Sequence, residues 1–166
     1  KAYDLKDKLS KDFRVKIDAT DKTPGWKFAA QEVQGISTRI EIGPKDIEKN
    51  QCVIVRRDTR EKIVVSLDEV NEKLAEVLET MQNDMLEKAK AFLASHINDA
   101  HDYNEFKAIA ETKPGFIRAM WCGDDACEEE IKAQTGRVTS RCIPEEQEQI
   151  SDVCVCCGKP AKHMVY

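Results

Sequence analysis

The sequence has few aromatic residues and no long apolar run, and both features limit the class of protein it can be. Aromatic side chains make up 6% of the 166 residues, whereas charged ones make up 34%. A membrane-spanning helix needs about 20 consecutive, mostly apolar residues, and the chain has no such stretch. It also shows no signal peptide. We therefore exclude a membrane protein, expect a cytoplasmic one, and note that the length suffices to bury a core.

The chain also lacks a uniform charge, because its net charge of −5 conceals two opposite parts. Residues 1–66 hold 15 Lys and Arg against 11 Asp and Glu, a balance of +4, and the remainder has a balance of −9. Surfaces that bind nucleic acid carry clustered positive charge. If the chain meets a polyanion, we expect the first part to bind it, but so small an excess does not by itself indicate nucleic acid.

Apolar periodicity predicts an α/β pattern over residues 1–98. Helices are predicted over 2–12, over 26–34 and from a capping box at Ser66 and Glu69 to about His96, and strands over 13–17, 37–42, 52–55 and 62–65. Apolar residues of the long helix step by three and four, so their face should pack on the sheet. They are Val70, Leu74, Val77, Met81, Met85, Ala89 and Phe92.

Residues 99–166 read as a smaller second domain. The pattern predicts a helical segment over 99–112 and a strand over 115–121, followed by a short helix over 128–134 and strands over 138–143 and 162–166. The chain begins inside a predicted helix, so we expect it to be part of a longer protein.

Cysteine is the most unevenly distributed residue type, since six of the seven lie between residues 122 and 157. Such crowding favours a metal site. Cys122 and Cys127 share a tight loop, and 27 residues after Cys127 comes Cys154, which forms a C-x-x-C knuckle with Cys157. Two chelating pairs of this kind resemble zinc-ribbon spacings. We predict that these four thiolates bind one zinc ion and leave no open position, which makes the site structural.

Other uses of the cysteines remain open. The cluster is alternatively a set of free thiols or disulfides, and Cys156 is an alternative to one of its neighbours as ligand. Cys142 lies in a predicted strand and is expected in the core. Cys52, between apolar residues, is also expected in the core. The three histidines are scattered, and no Ser/His/Asp constellation is present, so we predict no catalytic residue.

Motifs along the whole chain resemble one family. They are Thr23-Pro24-Gly25-Trp26-Lys27-Phe28, then Arg39 to Asp46 (RIEIGPKD), then Val55-Arg56-Arg57-Asp58-Thr59, and finally Cys122 to Cys127, Thr139 to Pro144 and Cys154 to Gly158. The first three are similar to the anticodon-binding domain of prolyl-tRNA synthetase. The last three resemble the C-terminal zinc domain carried by its eukaryote-like and archaeal-like form.

The resemblance implies an anticodon-binding domain over 1–98, with a mixed sheet flanked by helices, and a small α+β zinc-binding domain over 99–166. The first strand of the anticodon-binding domain is expected to precede this chain. The parent would be a proline–tRNA ligase, a homodimer that uses ATP and Mg²⁺ at sites in its catalytic domain. The expected partners of this part are tRNA(Pro) and that catalytic domain, and alone it should make no prolyl-tRNA.

Five residues match the positions that face the anticodon in the family, which reads the guanines common to proline anticodons. They are Phe28, Glu32, Arg39, Lys45 and Lys62. Their chemistry suits the task, because an aromatic ring stacks a base and Arg binds guanine O6 and N7. Alternatively, Phe28 is a core residue and Arg39 and Lys45 are solvated surface. The chain departs from the family at Ala29, Ala30 and Gln31, where many members have a polar pair and an aromatic residue.

A second hypothesis is a free-standing RNA or protein interaction module that derives from a synthetase and has no catalytic half. An upstream coding sequence with the class II synthetase motifs would exclude it.

Overall fold

The computed structural model describes residues 1–166, which divide into two compact units, Lys1–Glu87 and Lys88–Tyr166. The long helix Val70–Ser95 runs through this division, so the predicted domain boundary between residues 98 and 99 stays a prediction. None of the helices combines the length and the apolar composition that a membrane span requires.

The first unit contains a three-stranded antiparallel sheet with helices packed on it. Its helices are α1 (Ala2–Leu9), α2 (Pro24–Val33), α3 (Pro44–Glu48) and the greater part of α4 (Val70–Ser95), and its strands are β1 (Thr38–Glu41), β2 (Gln51–Arg56) and β3 (Lys62–Ser66). The strands lie in the order β1-β2-β3. Both pairings are antiparallel, as short connections between neighbouring strands favour.

The core of this unit lies between one face of the sheet and the first half of α4. Cys52 and Ile54 of β2 are fully buried, which confirms the expected core position of Cys52, and Val70 and Leu74 of α4 pack with them. Phe13 and Val15 also pack on this cluster. However, residues 13–17 form no regular strand, since alternating apolar residues indicate one buried side and not hydrogen-bonded pairing.

Two predictions about α4 are wrong. Its apolar face is buried at Val77 and Met81 but exposed at Met85 and Phe92. A helix of 26 residues is about 39 Å long, whereas a six-residue strand spans only about 20 Å. The helix therefore extends beyond the sheet. The capping box does not start the helix either, because Ser66 ends β3 and its Oγ accepts a bond from the Asp68 N–H at 3.2 Å.

Arg56 fixes the loop between β2 and β3 to α4. Its side chain is 7% exposed, and its Nη2 donates to Asp58 and to Asp84 at 2.7 Å each. The carboxylates raise the pKa of Arg56 above its usual range, the hydrogen bond to Asp58 contributing most. Arg56 is therefore a buried cation with a structural role. It belongs to the motif Val55-Arg56-Arg57-Asp58-Thr59 and anchors the loop that this motif begins.

Replacing Arg56 with alanine is expected to cost the first unit about 2–3 kcal/mol, because both carboxylates lose their partner and a buried side chain is removed. Arg57→Ala is the matched control, since Arg57 is an exposed residue of the same loop, and it should change stability by less than about 0.5 kcal/mol. Urea unfolding measured by circular dichroism compares the two. Equal midpoints would contradict this role of Arg56.

The second unit contains a mixed three-stranded sheet. Its remaining elements are β4 (Ile97–Ala100), α5 (Tyr103–Thr112), β5 (Phe116–Trp121), α6 (Asp125–Thr135) and β6 (His163–Val165). β4 pairs parallel to β5, and β5 pairs antiparallel to β6. A parallel pair requires a crossover connection, and α5 supplies it. The α/β fold class is confirmed, with the mixed sheet in this unit and an antiparallel sheet in the first.

Two segments of this unit differ from the sequence-based prediction. Residues 97–100 form β4, although the prediction ended the long helix near His96 and began a helical segment at residue 99. Residues 138–143 form no regular strand, although Arg141 and Cys142 exchange backbone hydrogen bonds with Tyr166. Cys142 is exposed, which corrects its expected place in the core. Val138 instead packs on the cluster around Phe106.

Gly115 is required where β5 begins beside β4. Its φ is +121°, and a Cβ there would lie 2.0 Å from the carbonyl oxygen of His96. That oxygen accepts the N–H of Phe116 at 2.8 Å. The backbone of His96, which directly precedes β4, is thus too close to admit any side chain at this position.

Gly115→Ala is expected to destabilise the second unit by about 3 kcal/mol, because the clash with His96 adds to the backbone strain. Gly136→Ala is the control, since its φ is +69° and its Cβ would meet nothing within 4 Å. Strain alone should cost about 1 kcal/mol there. Thermal unfolding of both variants measures the difference, and equal losses would contradict the steric argument.

Candidate nucleic-acid interface and metal centre

Arg39 is the centre of a charged cluster on the first unit. Its Nη1 donates to Glu32 at 2.7 Å and its Nε donates to Glu41 at 2.8 Å. Arg39 and Glu41 lie two residues apart on β1, so they share one face of the strand. Glu32 comes from the last turn of α2. The two carboxylates hold the guanidinium in one orientation, and its Nη2 has no hydrogen-bond partner within the chain.

Phe28 forms the aromatic part of the same cluster. It precedes Glu32 by four residues on α2 and therefore lies on the same side of the helix. The guanidinium carbon of Arg39 is 4.2 Å from the centre of its ring, which is a cation–π contact. Phe28 is half-buried and belongs to no core cluster. The ring is thus placed at the surface beside a cation.

Lys62 lies in the same row of the sheet as Arg39. Both residues are paired with Val55, one from β1 and the other from β3, so the two side chains project from one face. The Nζ of Lys62 is 3.6 Å from Glu41. The opposite face, with Ile54 and its neighbours, covers the core. One face of the sheet therefore lies on the core, and the other carries these charged residues beside Val55, which is itself buried.

Lys45 does not join the other four predicted residues. It lies in α3, is exposed, and forms no hydrogen bond or ion pair with them. Phe28, Glu32, Arg39 and Lys62 are thus brought together, whereas no hydrogen bond or ion pair joins Lys45 to them. Burial acts to lower the pKa of Arg39, but the bonds to Glu41 and Glu32 outweigh it and raise the pKa. The cluster therefore keeps its central positive charge.

Four cysteine sulfurs meet in the second unit, and they are those of the predicted set. The sulfurs of Cys122, Cys127, Cys154 and Cys157 all lie within 4.8 Å of one another. The sulfur of Cys122 is 3.7 Å from those of Cys127 and Cys157. A tetrahedral zinc site with Zn–S bonds of about 2.3 Å has sulfurs about 3.8 Å apart, whereas a disulfide requires about 2.05 Å. The geometry fits a metal.

Local backbone structure presents the first cysteine pair. Cys122 directly follows β5, and Gly123 then adopts a φ of +86°. Asp124 caps α6 by accepting the N–H of Ala126. This bend places Cys127 in the first turn of α6, facing back toward Cys122.

The knuckle that carries the second pair is closed by backbone bonds. The N–H of Gly158 donates to the carbonyl of Cys154 at 3.0 Å, and the N–H of Cys154 donates to Lys159 at 2.8 Å. Cys156 lies outside the set of four sulfurs and is half-buried against the cluster.

The four thiols differ in how readily they ionise. Burial raises the pKa of the Cys122 and Cys127 thiols. In contrast, the backbone N–H of Lys159 lowers the pKa of Cys157 to about 7. Buried thiolates are costly without a compensating positive charge, and a divalent metal provides that charge. Four thiolates complete a tetrahedral shell, so the chemistry of the donor set is that of a structural site.

Comparison with known proteins adds to this geometry. The family model described as "Anticodon binding domain" matches residues 1–77, and the one described as "Prolyl-tRNA synthetase, C-terminal" matches residues 103–166. Taken together, the two matches make the chain similar to the C-terminal part of a prolyl-tRNA synthetase. The first match contains the Arg39 cluster, and the second contains the four cysteines, so each feature lies in the domain where the resemblance placed it.

Relatives named proline–tRNA ligase match the chain over its full length. That of Agathobacter rectalis is 92% identical over 167 residues, which make up 35% of the relative's length. Those of Lachnoclostridium phytofermentans and Clostridium novyi are 58% and 57% identical, with 34% of each relative covered. The chain spans about a third of the length of these curated relatives.

Two charged residues of the cluster, Glu41 and Arg60, were not predicted from the sequence. Glu41 accepts a hydrogen bond from Arg39 and lies near Lys62. Because Glu41 follows Arg39 by two residues in a predicted strand, the sequence could have placed both side chains on the same face. Arg60 lies 3.9 Å from Glu32. No sequence pattern indicates this approach, because it depends on the shape of the loop between β2 and β3.

Proposed function

We propose that this chain is the anticodon-reading and structural zinc-binding part of a proline–tRNA ligase. The whole enzyme attaches proline to tRNA(Pro) with ATP and Mg²⁺, as a cytoplasmic homodimer. This chain contributes recognition and architecture and makes no prolyl-tRNA alone. The observation that carries the proposal is the joined cluster of Phe28, Glu32 and Arg39 within the region that matches an anticodon-binding domain.

The residues of the cluster have complementary roles toward guanine. Phe28 stacks an unstacked base of the anticodon loop. Arg39 donates to guanine O6 and N7, and its unpartnered Nη2 supports this role. Glu32 accepts from the amino edge of guanine, which no other base presents in the same way. Bonds to Glu32 and Glu41 orient Arg39 before the RNA arrives, which reduces the ordering cost of binding.

The lysines serve the less specific part of binding. Lys62 lies at the edge of the cluster and is 61% exposed, and Lys45 is exposed on α3. Both are assigned to phosphate or to base acceptors near the anticodon, contacts that position the RNA more than they read it.

The zinc ion proposed for the four cysteines has no role in the reaction. The thiolates of Cys122, Cys127, Cys154 and Cys157 would hold it with no position left for water or substrate. When bound, the ion supplies a cross-link between the β5–α6 bend and the knuckle at Cys154. This link stabilises a small unit, in which three of the four cysteines are themselves among the buried residues.

Binding of the chain to anticodon stem-loops tests the proposed function. We expect tighter binding to the tRNA(Pro) stem-loop than to the same stem-loop with either anticodon guanine replaced by adenine. The difference should be at least about tenfold, because a bidentate guanine contact contributes about 1–3 kcal/mol. Fluorescence anisotropy at one fixed salt concentration measures it. Equal affinity for all three RNAs would contradict the proposal.

A further inference from the structure

Arg60 has an unusual backbone conformation in the loop between β2 and β3. Its φ is +61°, and Asn50 is the other non-glycine residue of the chain with a positive φ. Non-glycine residues adopt this region at a cost in free energy, so the surrounding structure must impose it. The N–H of Arg60 donates to the carbonyl of Arg56, and the N–H of Arg56 donates to Glu61, both at 3.0 Å. These bonds close the loop into a tight turn.

The rest of the loop is also fixed. The guanidinium of Arg56 donates two hydrogen bonds to the carboxylate of Asp58. The backbone N–H of Arg57 donates to the carbonyl of Ser37 at 3.0 Å. The loop is therefore anchored to the residue that precedes β1 as well as to its own strands. Its conformation directs Arg60 toward the end of α2.

The guanidinium of Arg60 lies at the border of the Arg39 cluster. Its Nη2 is 3.9 Å from one carboxylate oxygen of Glu32, whose other oxygen accepts the bond from Arg39 at 2.7 Å. Arg60 is 81% exposed, so this long contact is screened by water and contributes little. Most of the five N–H donors of the side chain face solvent.

The negative charges of the cluster favour a cation at the position of Arg60. Glu32 and Glu41 place two negative charges among the base-reading residues, and these charges repel the phosphates next to any base that enters. Arg39 is already engaged by both carboxylates. Arg60 and Lys62 lie at the two ends of the cluster, one beside each carboxylate. A guanidinium fork matches two phosphate oxygens.

We propose that Arg60 is an additional RNA-binding residue, whose guanidinium contacts an anticodon-loop phosphate beside the base read by Arg39 and Glu32. This inference rests on the proposed function. Arg60 contributes affinity without sequence preference, whereas Arg39 and Glu32 distinguish guanine from other bases.

The salt dependence of tRNA(Pro) binding tests this role. A lost phosphate contact reduces the slope of log affinity against log salt by about 0.7 for single-stranded RNA. Arg60→Ala is expected to show this reduction, with about tenfold weaker binding at low salt and unchanged preference for guanine over adenine. Arg60→Lys should keep the slope, because it keeps the charge. Arg57→Ala removes an equal charge from the same loop and should leave the slope near that of the original chain.

Neutral methylphosphonate linkages, introduced one at a time into the anticodon loop, locate the contact. We expect one position that weakens binding to the original chain and has no further effect on Arg60→Ala. Two outcomes would overturn the inference. In one, Arg60→Ala and Arg57→Ala have the same slope. In the other, Arg60→Ala keeps its slope but loses the preference for guanine, which would mean that Arg60 acts on Glu32 alone.

Failure of the inference is distinguishable from failure of the proposed function. If the original chain shows no preference for the guanines of the anticodon, the proposed function itself is wrong. If the preference is present but Arg60→Ala behaves like Arg57→Ala, only the role of Arg60 is wrong.

Discussion

If the four cysteines hold the proposed zinc ion, replacing Cys154 with serine is expected to release it and unfold most of residues 88–166. Cys154 is 2% exposed, and a serine hydroxyl is a poor replacement for a zinc thiolate. Structural zinc contributes about 10–16 kcal/mol to the folding of small zinc domains, which matches or exceeds the stability of a typical domain. The knuckle also holds Val155 in the core beside Phe106, so release of the knuckle removes core packing as well.

Two cysteine variants serve as controls for this experiment. Cys142→Ser changes an exposed thiol outside the four-sulfur set, and Cys156→Ser changes a half-buried one inside the knuckle. Both should retain about one zinc per chain by elemental analysis and an intact second unit by circular dichroism. A Cys154→Ser protein that lacks zinc but stays folded would contradict the structural role. Loss of zinc from Cys156→Ser would instead show that the ligand set is wrong.

Replacing Arg39 with alanine is expected to weaken binding to tRNA(Pro) by about 10–100-fold while the protein stays folded. The loss has two parts. First, the contact with guanine disappears, and such a contact contributes about 1–3 kcal/mol. Second, the carboxylates of Glu32 and Glu41 lose their shared cation and repel the RNA. Arg39 is 21% exposed and belongs to no core cluster, so stability should change by only about 1 kcal/mol.

The controls for Arg39 separate charge from geometry. Arg39→Lys keeps the positive charge but cannot bond two acceptors in one plane, so it should recover the salt dependence without recovering the preference for guanine. Arg14→Ala removes an equal charge from an exposed position outside the cluster and should change affinity only slightly. Affinity of Arg39→Ala equal to that of Arg14→Ala, measured at matched salt, would contradict the assignment.

The sequence predicted features that depend on spacing along one element. Phe28 and Glu32 are four residues apart on a helix, and the cysteine pairs lie on tight loops, so their local geometry follows from the backbone. The core position of Cys52 followed in the same way from its apolar neighbours. The motifs then allowed Arg39 to be assigned to the same surface as Phe28.

Features that depend on pairing between distant segments were not predictable. Residues 13–17 and 138–143 alternate as strands do, yet neither forms a continuous ladder, because alternation reports burial and not hydrogen-bond partners. β4 is four residues long and lies between two helices, so its periodicity is hidden. The approach of Arg60 to Glu32 follows from a left-handed loop residue, and no propensity of arginine indicates that conformation.

A thermodynamic cycle between Arg39 and the anticodon tests the central claim most directly. It measures the affinities of the original chain and of Arg39→Ala for the tRNA(Pro) stem-loop and for the same RNA with one guanine replaced by adenine, at one salt concentration. If Arg39 reads that guanine, the two changes are non-additive, and the base change that weakens the original chain at least about tenfold has almost no effect on Arg39→Ala. Additive losses at both anticodon guanines would contradict the claim that Arg39 reads the anticodon.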